Sequence, residues 1–340
     1  MYLAVDSLIP TRGKPFPGLD EFSASLDHSA IPVVWVTDRT RLQMDAPRRT
    51  NGHTHPFIGE GGCAVFLPED YFHLRPAKTL RLGRFTSIPI AQPQPAAQEA
   101  LASLAEDTGI DAVPLRSLSP RELVQNSGLP ARDAEMARQR DFDELFFFAG
   151  ATDAAIARFV AEAQLRRLAL RRHGMLWSLA VGASLQRCIR DLAKLYDRAL
   201  RYHAVVLGVA TAEEAPQLFP CCERNILLAK SASPADESHR NNDEQESAEQ
   251  DNDLRHDDGQ DNDGQTDRDN VEAEQPETQR VRAEQPDFAE PDHARQPSAK
   301  HRRTSLAKDP KLGTYSLTIP LRAPETWERL LEAVGSRSYK

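Results

Sequence analysis

Short apolar runs alternate with stretches of helical spacing along the first part of the chain. Residues 2–5 and 31–36 are continuous apolar runs, and 64–67 is a third that follows a Gly61-Gly62 turn. Between the first two, Leu19, Phe22 and Leu26 recur at the spacing of one helix face. Strand, helix, strand in this order predicts right-handed crossovers and a parallel sheet. Such sheets place their chemistry at the carboxyl ends of the strands. Functional residues are therefore expected after Val5, after Val36 and after Leu207.

A second block runs from about residue 80 to 183. Leu101, Leu104 and Ala105 share a helix face, and Ser119-Pro120-Arg121-Glu122 reads as a helix start with serine at the cap and proline in the first turn. An aromatic strand is predicted over 142–148, a helix over 154–167 and a strand over 175–181. The first domain then resumes with a helix over 185–200 and strands over 204–207 and 225–228. Near the end, 315–321 reads as extended and 324–334 as a helix with Trp327, Leu330 and Leu331 inward. The predicted organisation is a core at 1–80, an inserted α/β cap at 81–183, a second core segment at 184–230 and a closing strand and helix at 312–340.

Composition sets residues 231–311 apart. Asp, Asn, Glu, Gln and Arg dominate there, with almost nothing aromatic or β-branched to bury, so a long disordered acidic insertion is predicted. Its closure cost grows only logarithmically, by about 0.6 kcal/mol per doubling of length. Without it about 260 residues remain, the size of a two-domain α/β protein. A net charge of -9 argues against a general nucleic-acid binder. No window approaches the roughly 18 apolar residues of a membrane span, and residues 1–10 carry Asp6 and no basic residue ahead of the apolar stretch, unlike a secretion signal. A cytoplasmic protein is expected. Cys63, Cys188, Cys221 and Cys222 are too few and too badly spaced for a disulfide framework or zinc site. His53 and His55 lack a further ligand at metal-binding spacing.

Several collinear strings resemble the mannosyl-3-phosphoglycerate phosphatases, a branch of the haloacid dehalogenase-like (HAD) superfamily. Ile31-Pro32-Val33-Val34-Trp35-Val36-Thr37-Asp38-Arg39-Thr40 is similar to that family's second-motif strand. Pro56-Phe57-Ile58-Gly59-Glu60-Gly61-Gly62 is similar to its Pro-Phe-Ile-x-Glu-Asn-Gly-Gly string. Gly128-Leu129-Pro130 and the segment from Ala137 to Glu144 resemble its cap, and Ala323-Pro324-Glu325-Thr326-Trp327 its Gly-Pro-Glu-Gly-Trp. The resemblance implies an HAD-like Rossmannoid core with a parallel sheet and an inserted cap.

It also implies a chemistry: an aspartate nucleophile with a second aspartate two residues later as general acid and base, a phosphate-binding hydroxyl, a lysine and Mg²⁺. Ala4-Val5-Asp6-Ser7-Leu8 stands where the family has Asp-x-Asp-Gly-Thr. In the preferred register Asp6 is the second aspartate and Ala4 replaces the nucleophile; in the other, Asp6 is the nucleophile and Leu8 replaces the acid/base. Thr37 fits the phosphate-binding hydroxyl, or else caps the following helix. Ser184-Leu185-Gln186 replaces Asp-Lys-Gly, removing the positive charge. Gly208-Val209-Ala210-Thr211-Ala212-Glu213 replaces Gly-Asp-Ser-x-Asn-Asp, so Val209 takes the main metal ligand's place. Glu213 is either an outer ligand or an acid favouring a helix N-terminus. In the cap, Gly174-Met175-Leu176-Trp177-Ser178 replaces Gly-Arg-Phe-x-His, while Arg138, Arg140 and Glu144 are either substrate contacts or ordinary surface ion pairs.

In a covalent-catalysis enzyme, deleting the nucleophile alone costs on the order of 10⁶ in turnover. The expectation is accordingly a phosphatase-like protein that has lost phosphomonoester hydrolysis, does not retain Mg²⁺, and acts in binding or regulation with a sugar-phosphate ligand. Its pocket is expected to be emptied of reactive charge. Two alternatives stand beside it: an active Mg²⁺-dependent phosphatase using Asp6, and an acidic insertion that captures a protein partner.

Overall fold

The computed structural model describes residues 1–73, 76, 78–230, 307–309 and 313–335. The chain begins with β1 (Tyr2–Ala4), α1 (Leu19–His28), β2 (Val34–Val36), α2 (Arg41–Thr50), β3 (Phe57–Gly59), β4 (Ala64–Pro68), β5 (Leu80–Leu82) and β6 (Phe85–Pro89). There follow α3 (Gln94–Thr108), β7 (Ala112–Pro114), α4 (Pro120–Ser127), α5 (Ala131–Arg138), β8 (Asp143–Phe148), α6 (Asp153–Leu165), β9 (Leu168–His173) and β10 (Leu176–Val181). The last elements are α7 (Leu185–Leu200), β11 (Leu207–Thr211), α8 (Ala215–Leu218), β12 (Arg224–Ala229), β13 (Ala307–Asp309), β14 (Gly313–Tyr315), β15 (Leu317–Pro320) and α9 (Glu325–Gly335).

The core is a nine-stranded sheet of order β15-β12-β11-β1-β2-β3-β4-β6-β5. From β15 to β3 the strands are parallel; β4, β6 and β5 add an antiparallel wing. The central strands are apolar throughout because helices cover both faces. Alternation then sorts their side chains. Leu3 and Trp35 pack on one face with Phe22 and Leu26 of α1 and Trp327 and Leu330 of α9. Tyr2, Ala4, Val34 and Val36 pack on the other with Leu185, Cys188, Ile189 and Leu192 of α7. Trp327 stacks on Phe22 at 4.6 Å and donates its indole N–H to the Pro17 carbonyl at 2.7 Å. The closing helix is thereby bound to the start of the chain.

The cap is a four-stranded antiparallel sheet, β7-β8-β10-β9, inserted between β6 and α7. Leu101, Leu104, Phe146, Phe159 and Leu179 join α3 and α6 to one face, and Leu115, Leu123, Ala134, Ala137, Leu145 and Leu176 join α4 and α5 to the other. Ser119 caps α4 in a reciprocal box with Glu122, as the sequence predicts.

Several expectations need correction. The core sheet continues through β6 to Pro89, past the boundary expected at residue 80. Helix α2 was not anticipated, because Met44 is its main apolar anchor and it also buries Gln43 and Arg48. The strand expected over 204–207 instead runs Leu207–Thr211. Its Gly208, Ala210 and Thr211 give a weak strand signal, but pairing with both β1 and β12 buries Gly208 to Thr211, whereas Val205 in the apolar run before it is 48% exposed. The predicted disordered insertion at 231–311 lies outside the described residues, except that Ala307–Asp309 pairs with Gly313–Tyr315. Among the described residues no helix is long and apolar enough to cross a membrane.

Candidate functional site

The strands β1, β2 and β11 end side by side and form the floor of a cavity of about 500 Å³. Ala4, Asp6, Thr37, Asp38, Leu185 and Thr211 face it from the core, and Arg171, Arg172 and His173 face it from cap strand β9. This is where the parallel sheet was expected to hold its chemistry.

Asp6 follows β1 and reaches across to the end of β2. Its Oδ1 accepts the Thr37 hydroxyl at 2.5 Å, its Oδ2 accepts the Asp38 backbone N–H at 2.7 Å, and the Arg39 guanidinium lies 3.3 Å from Oδ1. Burial pushes this carboxyl above its ordinary value; Arg39 opposes that, and the Asp38 carboxylate adds to it. Thr37 also accepts the Arg39 backbone N–H at 3.1 Å, so its hydroxyl is engaged within the protein. Thr37 does not cap the following helix. That role belongs to Thr40, which forms a reciprocal capping box with Gln43.

Asp38 was not singled out in the sequence, yet it is the centre of the contact between core and cap. Arg171 Nη1 lies 3.3 Å from its Oδ1 and His173 Nδ1 lies 3.3 Å from its Oδ2. Burial alone would raise Asp38, but the hydrogen bond and charge of His173, then Arg171 and Arg140, outweigh it and hold the carboxyl at about 2. The signal was present in the alternation of β9, which sends Arg171 and His173 to the same side of the strand.

The register of β11 changes the reading of its metal motif. Val209 pairs with Leu3 in the strand interior and is fully buried, so the residue at the carboxyl edge is Thr211. The adjacent acid that turns inward is Glu214, not Glu213. Its two oxygens accept the Ser7 N–H at 3.0 Å and the Thr211 hydroxyl at 2.8 Å. Burial raises its pKa, the Ser7 N–H opposes this, and Asp6 reinforces it. Glu213 is two-thirds exposed and pairs with Lys230 at 3.1 Å.

The predicted cap contacts lie elsewhere than this cavity. Arg138 pairs with Glu135 at 2.8 Å and donates to the Leu118 carbonyl. Glu144 is buried against Gln94, with Arg116 at 3.6 Å. Arg140 is buried with Asp143 and donates to the Asp38 carbonyl at 2.7 Å, which makes it a support for Asp38.

The cavity still carries acidic side chains beside Ala4 and Leu185. Asp6, Asp38, Glu213 and Glu214 remain, but each is held by a neighbour: Arg39, the Arg171 and His173 pair, Lys230, and the Ser7 and Thr211 donors. Mg²⁺ needs oxygens free to turn toward it at near-octahedral angles, and these carboxylates are committed to protein donors. Among the described residues no three His, Cys, Asp or Glu side chains converge on a common point. The donor set does not fit the ion that the resemblance implies.

No family model matches the chain. It is 23% identical over 171 residues to the glucosyl-3-phosphoglycerate/mannosyl-3-phosphoglycerate phosphatase of Methanococcoides burtonii, covering 50% of this chain and 62% of that one. The protein of the same name from Persephonella marina is 28% identical over 134 residues, 39% of this chain and 48% of its own. The match thus spans about half the length of these curated relatives. A solved Thermoplasma acidophilum protein superposes with a TM-score of 0.46 at 14% identity, covering 70% of this chain and 87% of its own. A haloacid dehalogenase-like hydrolase from Bacillus subtilis gives 0.46 at 13%, covering 67% and 88%. In sequence the chain is thus similar to the glucosyl-3-phosphoglycerate/mannosyl-3-phosphoglycerate phosphatases, and its parallel core sheet with an inserted cap is the fold that this resemblance implies.

Proposed function

We propose that this protein has exchanged phosphoryl transfer for non-catalytic binding of an anionic sugar derivative in the cavity at the carboxyl edge of its core sheet. One observation carries the reading: Ala4 and Leu185 line the same cavity as Asp6 and Thr37. A methyl group and an isobutyl group thus stand where the resemblance calls for a nucleophilic carboxylate and an ammonium. Asp6, the remaining candidate nucleophile, has both oxygens held by protein donors. Covalent catalysis needs a nucleophile with a free lone pair aimed at phosphorus and a partner for the charge that develops. Position 4 offers no such nucleophile and position 185 no such charge, and the oxygens of Asp6 are already engaged by Thr37 and Asp38.

Binding asks less. The cap presents Arg171, Arg172 and His173, and the core presents Lys230 and several hydrogen-bonding groups to a space large enough for a sugar acid. The names of the relatives direct the choice of ligand to mannosyl- and glucosyl-3-phosphoglycerate.

The test combines turnover and binding. With Mg²⁺ present, neither compound should release phosphate above the rate without protein. Both should raise the melting temperature in a saturable way, because a ligand that binds only the folded chain stabilises it. Arg171→Ala should weaken that stabilisation. Turnover that Asp6→Asn abolishes would establish the active-phosphatase alternative, and absence of any stabilisation would remove the binding reading. Partner capture by the insertion is a separate proposal, checked by deleting residues 235–310 and measuring loss of a bound basic protein.

A further inference from the structure

At the opposite edge of the sheet, where α2 ends and β3 begins, lies a second cavity of about 430 Å³. Arg48 and Arg49 come from the last turn of α2, Arg84 and Phe85 from the start of β6, and Pro68 from the end of β4. Basic residues at a helix C-terminus ordinarily serve the macrodipole from the surface. Arg48 does not, because it is 4% exposed.

Its guanidinium carbon is 4.9 Å from the centre of the Phe57 ring and 5.0 Å from that of Phe85. Nε donates to His53 Nδ1 at 3.1 Å and Nη2 donates to the His55 carbonyl at 2.7 Å. Both acceptors are neutral. His53 Nε2 bonds the Val33 carbonyl at 2.7 Å, which fixes the tautomer that leaves Nδ1 as acceptor. Burial and the charge of Arg48 hold His53 well below its ordinary value, so it stays uncharged.

Among the described residues no carboxylate pairs with Arg48. Asp45, the acid that acts on it, is paired with Arg84 at 2.9 Å, and Glu69 is paired with Arg81 at 2.9 Å. Glu69 lines this space as well, but with its partner Arg81 and with Asp45 beside Arg84 counted, Arg48, Arg49, Arg81 and Arg84 stand against two carboxylates, a surplus of two positive charges. Burial and the neighbouring Arg84 lower Arg48 to about 10, the direction expected of a guanidinium lacking a counter-charge. A charge taken out of water without a partner is strongly unfavourable, and a planar guanidinium matches a tetrahedral oxyanion with paired N–H donors.

We propose that this cavity binds a phosphate dianion, free or as the monoester of a small molecule, with Arg48 as the buried contact and Arg49 and Arg84 closing over it. Two negative charges match the surplus, and Phe85 and Pro68 offer an apolar wall to whatever the phosphate is attached to.

The experiment is calorimetric titration of the full chain at fixed ionic strength with inorganic phosphate and, separately, glucose 6-phosphate. Phosphate binding to one saturable site is expected, and the two titrants distinguish the free ion from the monoester. Arg49→Ala combined with Arg84→Ala changes two exposed side chains and leaves the core intact; affinity should fall at least about tenfold, the loss expected of a charge-assisted contact. Since phosphate could also enter the cavity at the carboxyl edge, Arg171→Ala is titrated in parallel and should retain the site. Loss of binding in Arg171→Ala with retention in the double variant would overturn the proposal and credit the other cavity. An unchanged stoichiometry and affinity in the double variant, or no saturable binding to the native chain, would overturn it as well.

Discussion

Replacing Glu60 by glutamine should change the slope of stability against pH. Glu60 occupies the turn between β3 and β4, is 2% exposed, and accepts the backbone N–H groups of Asp141, Phe142 and Asp143 at 3.1, 2.9 and 3.3 Å. It is the core's grip on the cap. Arg140 and Asp143 share its surroundings, so one guanidinium faces two buried carboxylates, and electrical balance is reached by taking up one proton. Burial first, then Asp143, push Glu60 from an ordinary 4.5 up to about 8, against the pull of Arg140. The sign follows. Between about 4.5 and 8 the folded chain keeps a proton that the unfolded chain has released, so stability falls as pH rises through that window. The contribution is complete below 4.5 and gone above 8. At about 1.4 kcal/mol per tenfold change in proton affinity, its ceiling is on the order of 4–5 kcal/mol. Urea midpoints measured from pH 5 to 9 report it. Glutamine keeps the volume and one acceptor oxygen but cannot ionise, so Glu60→Gln should lose this component: less stable than the native chain at pH 5, and gaining on it steadily toward pH 9. Parallel curves for the two proteins would refute the assignment.

Two further substitutions test the packing that holds the cavity. Gly62 has φ +91°, and a Cβ there would lie 2.7 Å from the backbone of Leu185. Backbone cannot give way as a side chain would, so Gly62→Ala should cost about 2–4 kcal/mol by chemical denaturation. Trp327→Ala removes the stack on Phe22 and the bond to the Pro17 carbonyl, and should cost about 3–5 kcal/mol in the same assay.

Much of the architecture was legible because strong local signals agreed with the final packing. Helix α7 was bounded correctly, since its apolar residues recur at helical spacing and Ser184 supplies the cap. The α4 start was equally clear in Ser119 and Glu122. What escaped was set by long-range pairing. Strand β11 is defined by neighbours on both sides rather than by its own Gly208 and Thr211. Strand β9 carries arginines that read as surface, and α2 is amphipathic only if a buried arginine counts as part of its inner face. The site followed the same rule. Asp6 and Thr37 were found because each sits at the end of an apolar run. Asp38 and Glu214 were missed because their meaning depends on a cap strand more than 130 positions away and on a one-residue choice within an acidic pair.

The two cavities differ in a way that sequence motifs do not record. At the carboxyl edge Ala4 and Leu185 stand where the resemblance implies a nucleophile and a lysine, and the acids present have protein partners: Arg39 for Asp6, Arg171 and His173 for Asp38. Every such pair lowers the cost of keeping a carboxylate in a cleft and, by the same contact, withdraws it from a metal or a substrate. On the proposed reading, loss of chemistry and retention of a stable fold are therefore one process there. At the amino edge the balance runs the other way, because Arg48 is more deeply buried than any of those acids and still has no carboxylate of its own among the described residues. A side chain so placed lowers stability unless something outside the chain compensates it. On electrostatic grounds, then, the edge without recognisable motifs has the stronger demand for a ligand.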